Sequence, residues 1–188
     1  LLANDERPNA ESWNAALSRL DALSDHGGDH LRIRIHGDYH LGQVLCADGE
    51  FYLLDFEGEP TRPLDERRRR ENALRDVAGM LRSLEYAVLA AWHNDTETAP
   101  AFADWVDALL HAAQVTFLDA YADTVGDADF LPPKASRYDF LWAFLFDNAL
   151  YEIRYELNHR PSWAWLPIRG LHRLLEAPSH DTPLVQPQ

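Results

Sequence analysis

The sequence predicts an α+β fold, a mainly helical body with one small β-hairpin set into it. Two observations carry this prediction. Beyond residue 74, apolar residues recur at helical spacing through most of the chain. Before it, Ala47-Asp48-Gly49 separates two short apolar stretches, 44–45 and 51–54, and Asp-Gly is a strong signal for a tight hairpin turn. At 188 residues and 46% apolar content, with six Trp and eight Phe, the chain has material for one sizeable core.

Taken in order, residues 11–23 read as a helix with Trp13, Leu17 and Leu20 on one face and Ser12 as its cap. Residues 24–30, SDHGGDH, read as a loop, and 31–35, LRIRI, as a short alternating strand ending at His36. After the hairpin, 58–72 is a polar loop with two prolines and the run ERRRR. Leu74, Val77, Leu81, Leu84 and Val88 form the apolar stripe of the next helix. Another is predicted to start near Pro100 and run through Phe102, Val106, Leu109, Ala113 and Phe117. Two more are expected over 138–158 and 168–176, followed by a Pro-rich, flexible tail at 177–188. The organisation is one lobe, 1–176, plus that tail.

A formal charge of −14 argues against nucleic acid or an anionic membrane as the main partner. No apolar run approaches the roughly 18 residues of a membrane span. With Cys46 the sole cysteine, no internal disulfide can form, and a cytoplasmic location is expected. The N-terminus lacks both a secretory-signal pattern and an initiator Met, so the chain is expected to be a fragment or a processed product. Of seventeen basic residues, all but Lys134 are Arg.

Chemistry concentrates at the two ends of the hairpin, in HGDYHLGQVL (36–45) and DFEGE (55–59). Protein kinases place an Asp that accepts the substrate hydroxyl's proton five residues before an Asn that holds Mg²⁺, with a second metal-binding Asp in a following D-F-G. Here Gln43 stands five residues after Asp38, and Asp55-Phe56-Glu57 stands where D-F-G would. Gln offers the same neutral carbonyl oxygen as Asn, which Mg²⁺ accepts. Asp38 is thus the candidate base, Gln43 and Asp55 the ligands of Mg²⁺ and its nucleotide, and Glu57 a further metal ligand. His36, grouped with the catalytic loop, is expected to orient that loop rather than touch substrate, and His40 to stand behind the site. Two readings stand against this one. His36, Asp38, His40 and Asp55 are also residue types of a hydrolytic metal centre, although the other histidines are scattered. Alternatively, the motifs are mere turn-formers in a non-catalytic helical interaction module.

HGDYHLGQVL, LLDFEGEP, LRDVAGMLRSLEYA (74–87) and YELNHRPSW (155–163) form an ordered set that closely resembles the maltokinases. The resemblance covers most of 31–175 and implies the C-terminal lobe of a protein-kinase-like, aminoglycoside phosphotransferase-type fold. It implies transfer of the γ-phosphate of ATP to a hydroxyl of maltose, feeding α-glucan and trehalose metabolism, with ATP and Mg²⁺ as cofactors. Some members are free-standing and others are fused to trehalose synthase. By this resemblance Asp76 ties the catalytic loop in place, with Arg75 beside it offsetting charge. The acceptor sugar would fall to Glu152, Tyr155, Glu156, Arg160 and Trp163, because carboxylates and Arg bind hydroxyls and aromatic rings cover sugar C–H faces. Related chains carry Lys where this one has Asn148, so the acceptor is open to change. With no Lys beside it, Asp147 is expected to be able to face an ammonium, which keeps a glucosamine or other small-molecule kinase as the alternative.

A kinase also needs a Gly-rich loop and a strand Lys over the nucleotide. Upstream of His36 there are only Gly27 and Gly28, and no lysine precedes Lys134. The nucleotide-cradling N-terminal lobe is therefore expected outside this chain, and the chain alone is expected to be nearly inactive.

Overall fold

The helix α3, Leu74–Asn94, organises the molecule. In the computed structural model, described for residues 8–24, 31–94 and 99–176, α3 packs against α4 (Ala99–Val125) and α5 (Lys134–His159). Its predicted stripe supplies Leu74, Val77 and Leu81, which with Ala78 meet Leu131, Leu141 and Leu145 in the main core. Leu84 and Val88 are only half-buried, and Leu89 takes the next core position. There it meets Val106 of α4 and Leu166.

Two further helices, α1 (Ala10–Ser24) and α6 (Trp165–Glu176), also pack against α5. Trp142, Phe146 and Ala149 of α5 close a second core with Ala16 and Leu171. Arg19 of α1 stacks over Trp142 at 4.3 Å and pairs with Asp139 at 2.6 Å. Its methylenes add apolar contact while the charge stays paired.

The predicted hairpin is present as β1 (Val44–Ala47) and β2 (Glu50–Leu53), antiparallel, with Ala47 opposite Glu50. Asp48 and Gly49 both take positive φ, 52° and 81°, as the inverse-type two-residue turn requires. Before it, a 3₁₀ turn at Leu41–Gln43 leads in from the HGD motif. A one-turn helix, α2 (Leu64–Arg67), interrupts the polar loop.

Four expectations are corrected. Residues 31–35 form no strand. Ile33 makes a single bridge with Glu71 (3.0 and 2.8 Å), and the sheet among the described residues has only two strands. The cap of α1 is Asn9, whose Oδ1 accepts the N–H of Ser12 at 2.8 Å; Ser12 lies inside the helix. The helix expected from 138 starts at Lys134, because Pro133 sets an extended entry (φ −50°, ψ 141°) directly before it. The helix expected from 168 starts at Trp165, since Pro167 falls in the first turn, where no N–H is needed. Residues 25–30 of the predicted loop and the tail 177–188 lie outside the described residues, as does the side chain of Phe102. Among the described residues no helix is long and apolar enough to cross a membrane.

Candidate active site

One face of α3 holds the HGD loop at three successive points. Asp76, in the first turn, accepts the backbone N–H of His36 (2.7 Å) and of Gly37 (2.9 Å). One turn on, the missing side chain of Gly79 admits the carbonyl of Tyr39; a Cβ there would lie 2.6 Å from that oxygen. Another turn on, Ser83 Oγ accepts the N–H of Leu41 at 3.0 Å. Gly37 takes φ 81°, a conformation that favours glycine. Burial pushes the Asp76 carboxyl above its ordinary value, partly offset by the two N–H donors and the charge of Arg75.

His36 is buried and connects the two motifs. Its Nδ1 accepts the N–H of Asp38 (3.3 Å), so Nε2 carries the proton and donates to the carbonyl of Leu54 (2.7 Å), next to Asp55. Its ring lies 4.9 Å from that of Phe56. His36 does not line the cavity that contains Asp38; it fixes the loop from behind. His40 does line it. Its Nδ1 accepts the N–H of Gly42 (3.0 Å), which leaves Nε2 pointing to the Asp38 carboxylate at 3.8 Å.

On the hairpin side, Gln43 and Asp55 stand together, with Gln43 Nε2 3.5 Å from Asp55 Oδ2. Asp55 is exposed and holds φ 57°, an uncommon backbone state for a residue with a side chain. Arg34 and Arg67 brace the DFEGE turn by donating to the carbonyls of Phe56 (3.1 Å) and Glu57 (3.4 Å). Arg67 thus acts within the ERRRR run as a loop brace, while Arg69 pairs with Asp65 at 3.2 Å on the surface. Among the described residues no three His, Cys, Asp or Glu converge on one point, which removes the support for a hydrolytic metal centre. A carboxylate plus an amide that can turn its Oε1 outward does suit Mg²⁺, which takes few protein ligands and completes its shell with waters and phosphates. Glu57 is exposed nearby.

The cavity, of about 420 Å³, lies between the HGD loop, α3 and one turn of α5. Its α5 wall is Asp147, Asn148, Tyr151 and Glu152. Arg75 pairs with Asp147 at 3.3 Å, so the carboxylate expected to face an ammonium already has a cationic neighbour. Burial, and then Arg62, lower the Arg75 guanidinium, against the pull of Asp147. Arg82, buried, donates through Nε and Nη2 to Glu152 (3.0 and 2.5 Å) and through Nη1 to Glu85. Burial works against its charge, but Glu85 and Glu152 outweigh it and hold the guanidinium above its ordinary range. Burial also raises the Glu152 carboxyl, with Arg82 pulling it down.

Of the five residues assigned to the acceptor, only Glu152 reaches this cavity. Glu156, one turn further along α5, is 1% exposed and bonded to Tyr86 (3.3 Å) and Arg160 (2.6 Å). Arg160 lies over Trp163 at 5.5 Å, and Tyr155 stacks on His159 at 4.3 Å, all beyond the cavity wall. On α5 the cavity lining ends at Glu152, and the second carboxylate, four residues on, lies in the interior. Sequence reasoning missed Arg82 and Tyr86. Tyr86 follows Asp76, Gly79 and Ser83 at helical spacing and was legible as a polar stripe; Arg82 looks like any surface arginine.

No family model matches the chain. A glucosamine kinase of Streptacidiphilus jiangxiensis is 38% identical over 162 residues, covering 84% of this chain and 34% of that protein. One of Mycolicibacterium smegmatis is 38% identical over 144 residues, covering 75% and 34%. A solved glucosamine kinase, crystal form B, superposes with a TM-score of 0.74 at 32% identity, over 88% of this chain and 39% of that one. A glucosamine kinase in complex with glucosamine, ADP and inorganic phosphate gives 0.68 at 32%, over 88% and 45%. Membership among the maltokinases is not supported by these relatives. The chain is similar in sequence and fold to glucosamine kinases, and it spans about a third of the length of the curated relatives it matches.

Proposed function

We propose that this chain is the C-terminal, acceptor- and metal-binding lobe of an ATP-dependent sugar kinase of protein-kinase-like fold, and that its acceptor is an amino sugar of the glucosamine class. The observation that carries the reading is the composition of the cavity beside Asp38. Five carboxylates (Asp38, Glu59, Asp76, Asp147 and Glu152) meet only three guanidiniums there. A cavity with surplus negative charge favours an ammonium-bearing sugar over a neutral disaccharide. The similarity to glucosamine kinases supports the same acceptor, and one of them holding ADP supports ATP as donor. Maltose has no comparable support.

Asp38 accepts the proton of the acceptor hydroxyl as that oxygen attacks the γ-phosphorus in line and the bond to the β,γ-bridging oxygen breaks, releasing ADP. His36 and Asp76 hold the loop so that the carboxylate faces the cavity. Gln43 and Asp55 would hold Mg²⁺, which would supply positive charge against the charge that develops on the transferred phosphate. Glu152, and Asp147 with its Arg75 partner, orient the sugar from α5. The nucleotide-cradling lobe completes the enzyme. Its place is the hairpin side, where Phe51 and Leu53 on one face of the hairpin and Leu45 and Tyr52 on the other are 45–73% exposed.

Assaying the full-length protein with MgATP and glucosamine, glucose or maltose tests this. Glucosamine is expected to give the highest kcat/KM; turnover of maltose with none of glucosamine would sink the reading.

A further inference from the structure

Gly170 lies inside α6, away from the cavity, with no left-handed backbone to explain it. Glycine within a helix costs about 1 kcal/mol relative to alanine, so its retention calls for a packing reason. The reason is Arg82. A Cβ at position 170 would lie 2.1 Å from Arg82 Nη1, 3.0 Å from Cζ and 3.2 Å from Nη2. An arginine tip usually swings away from such an intrusion. This one is 3% exposed and held between Glu85 and Glu152, so moving it strips a partner from a buried carboxylate. Among the described residues Arg82 is the one Arg in the buried interior.

We infer that Gly170, Arg82 and Glu152 form a positioning series for the acceptor: α6 leaves room at Gly170 for the guanidinium, and the guanidinium fixes the Glu152 carboxylate at the cavity wall. A carboxylate has about four lone-pair sites. Nε and Nη2 of Arg82 take the inward ones, which leaves outward positions for a sugar hydroxyl or ammonium. Arg82 is a positioning residue in this scheme, because it acts on the sugar through Glu152. The inference rests on the proposal that Glu152 binds the acceptor. The series does not involve Asp38, Gln43 or Asp55, so its loss weakens acceptor binding and leaves nucleotide binding alone.

The test uses the full-length protein with three variants, Gly170→Ala, Arg82→Lys and the double variant, assayed with glucosamine varied at saturating MgATP and then the reverse. Each single change is expected to raise the KM for glucosamine about 10- to 100-fold, with the KM for ATP unchanged. Lysine lacks the atom that collides with the new methyl group, so the double variant is expected to be no worse than Arg82→Lys alone; independent structural damage would add. An unchanged glucosamine KM in Gly170→Ala, or losses that add in the double variant, overturns the series while leaving the functional proposal intact. If Gly170→Ala does not fold, Arg82→Lys carries the same test. If circular dichroism shows neither single variant folded, the role of Arg82 is structural and the inference falls. A wild-type protein that phosphorylates no sugar defeats the functional proposal and takes the series with it.

Discussion

The carboxylate of Asp76 lies 2.7 Å from the backbone nitrogen of His36, forty residues earlier in the chain, and accepts its N–H. Together with the bond from Gly37, this fixes the loop bearing Asp38 to the start of α3. Asp76→Asn keeps one acceptor and turns an N–H toward the other donor. Leaving that donor unpaired is expected to cost about 1–3 kcal/mol of stability. The substitution also removes a pH dependence. The Asp76 carboxyl is raised above its ordinary value of 3.8, chiefly by burial, so the folded state holds its proton to higher pH than the unfolded state does. This group's contribution therefore falls as pH rises from 3.8 through the folded value. Urea denaturation of wild type and variant across that range should show this slope in the wild type and not in Asp76→Asn.

Asp38 is expected to carry the proton transfer. Asp38→Asn in the full-length protein should lower kcat by about 10²–10⁴ with little change in either KM. Steady-state kinetics at saturating MgATP checks this, and near-normal turnover would remove Asp38 as the base.

Close approach at Gly79 gives a prediction about backbone rather than charge. The Cβ of Gly79→Ala would meet the Tyr39 carbonyl at 2.6 Å, and a backbone oxygen in a clamped loop has little room to retreat. A loss of about 1–3 kcal/mol is expected, as for an overpacked core. The thermal midpoint reports it, and kcat should fall too because Tyr39 directly follows Asp38.

Glu152 and Glu156 share a face of α5 and are expected to behave differently. Glu152→Gln should raise the acceptor KM about 10-fold or more. Glu156→Gln should instead lower stability by about 1–3 kcal/mol, because Glu156 is internal and bonded to Tyr86 and Arg160, and should leave the acceptor KM unchanged. Acceptor titrations and melting curves on the two variants separate these roles.

pH dependence should expose the Arg82–Glu152 pair. Burial raises the Glu152 carboxyl and Arg82 lowers it, so removing the guanidinium lets it rise further. In Arg82→Met the acidic limb of kcat/KM for the sugar should move to higher pH. A limb at the wild-type position would show that ionised Glu152 is not what binds.

The hairpin and its turn were legible because Asp48-Gly49 tolerates the positive φ that a two-residue hairpin turn requires, and α3 was legible because of its apolar stripe. Gln43 and Asp55 were legible from motif spacing, and the hairpin sets both at its open end. The acceptor wall was harder to read. A helix repeat gives a shared face but not where along the axis the cavity stops, so Glu156, Tyr155, Arg160 and Trp163 were carried along with Glu152. Arg82 was invisible for a related reason. Its burial depends on Gly170, 88 positions later, and no local pattern records that contact. Residues 31–35 alternate like a strand but bridge as one only between Ile33 and Glu71, so the pattern joined no sheet.

The arginine bias of the composition now has a chemical meaning. Every cation lining the cavity (Arg62, Arg75 and Arg82) is a guanidinium, and the single Lys134 pairs with Asp127 at the surface. Guanidiniums stay protonated wherever a protein stays folded, and amine-directed acylation passes them by. Any change in acceptor binding with pH must therefore arise from groups other than the cavity's arginines. Reagents that acetylate lysine should leave the cavity's charge as they found it.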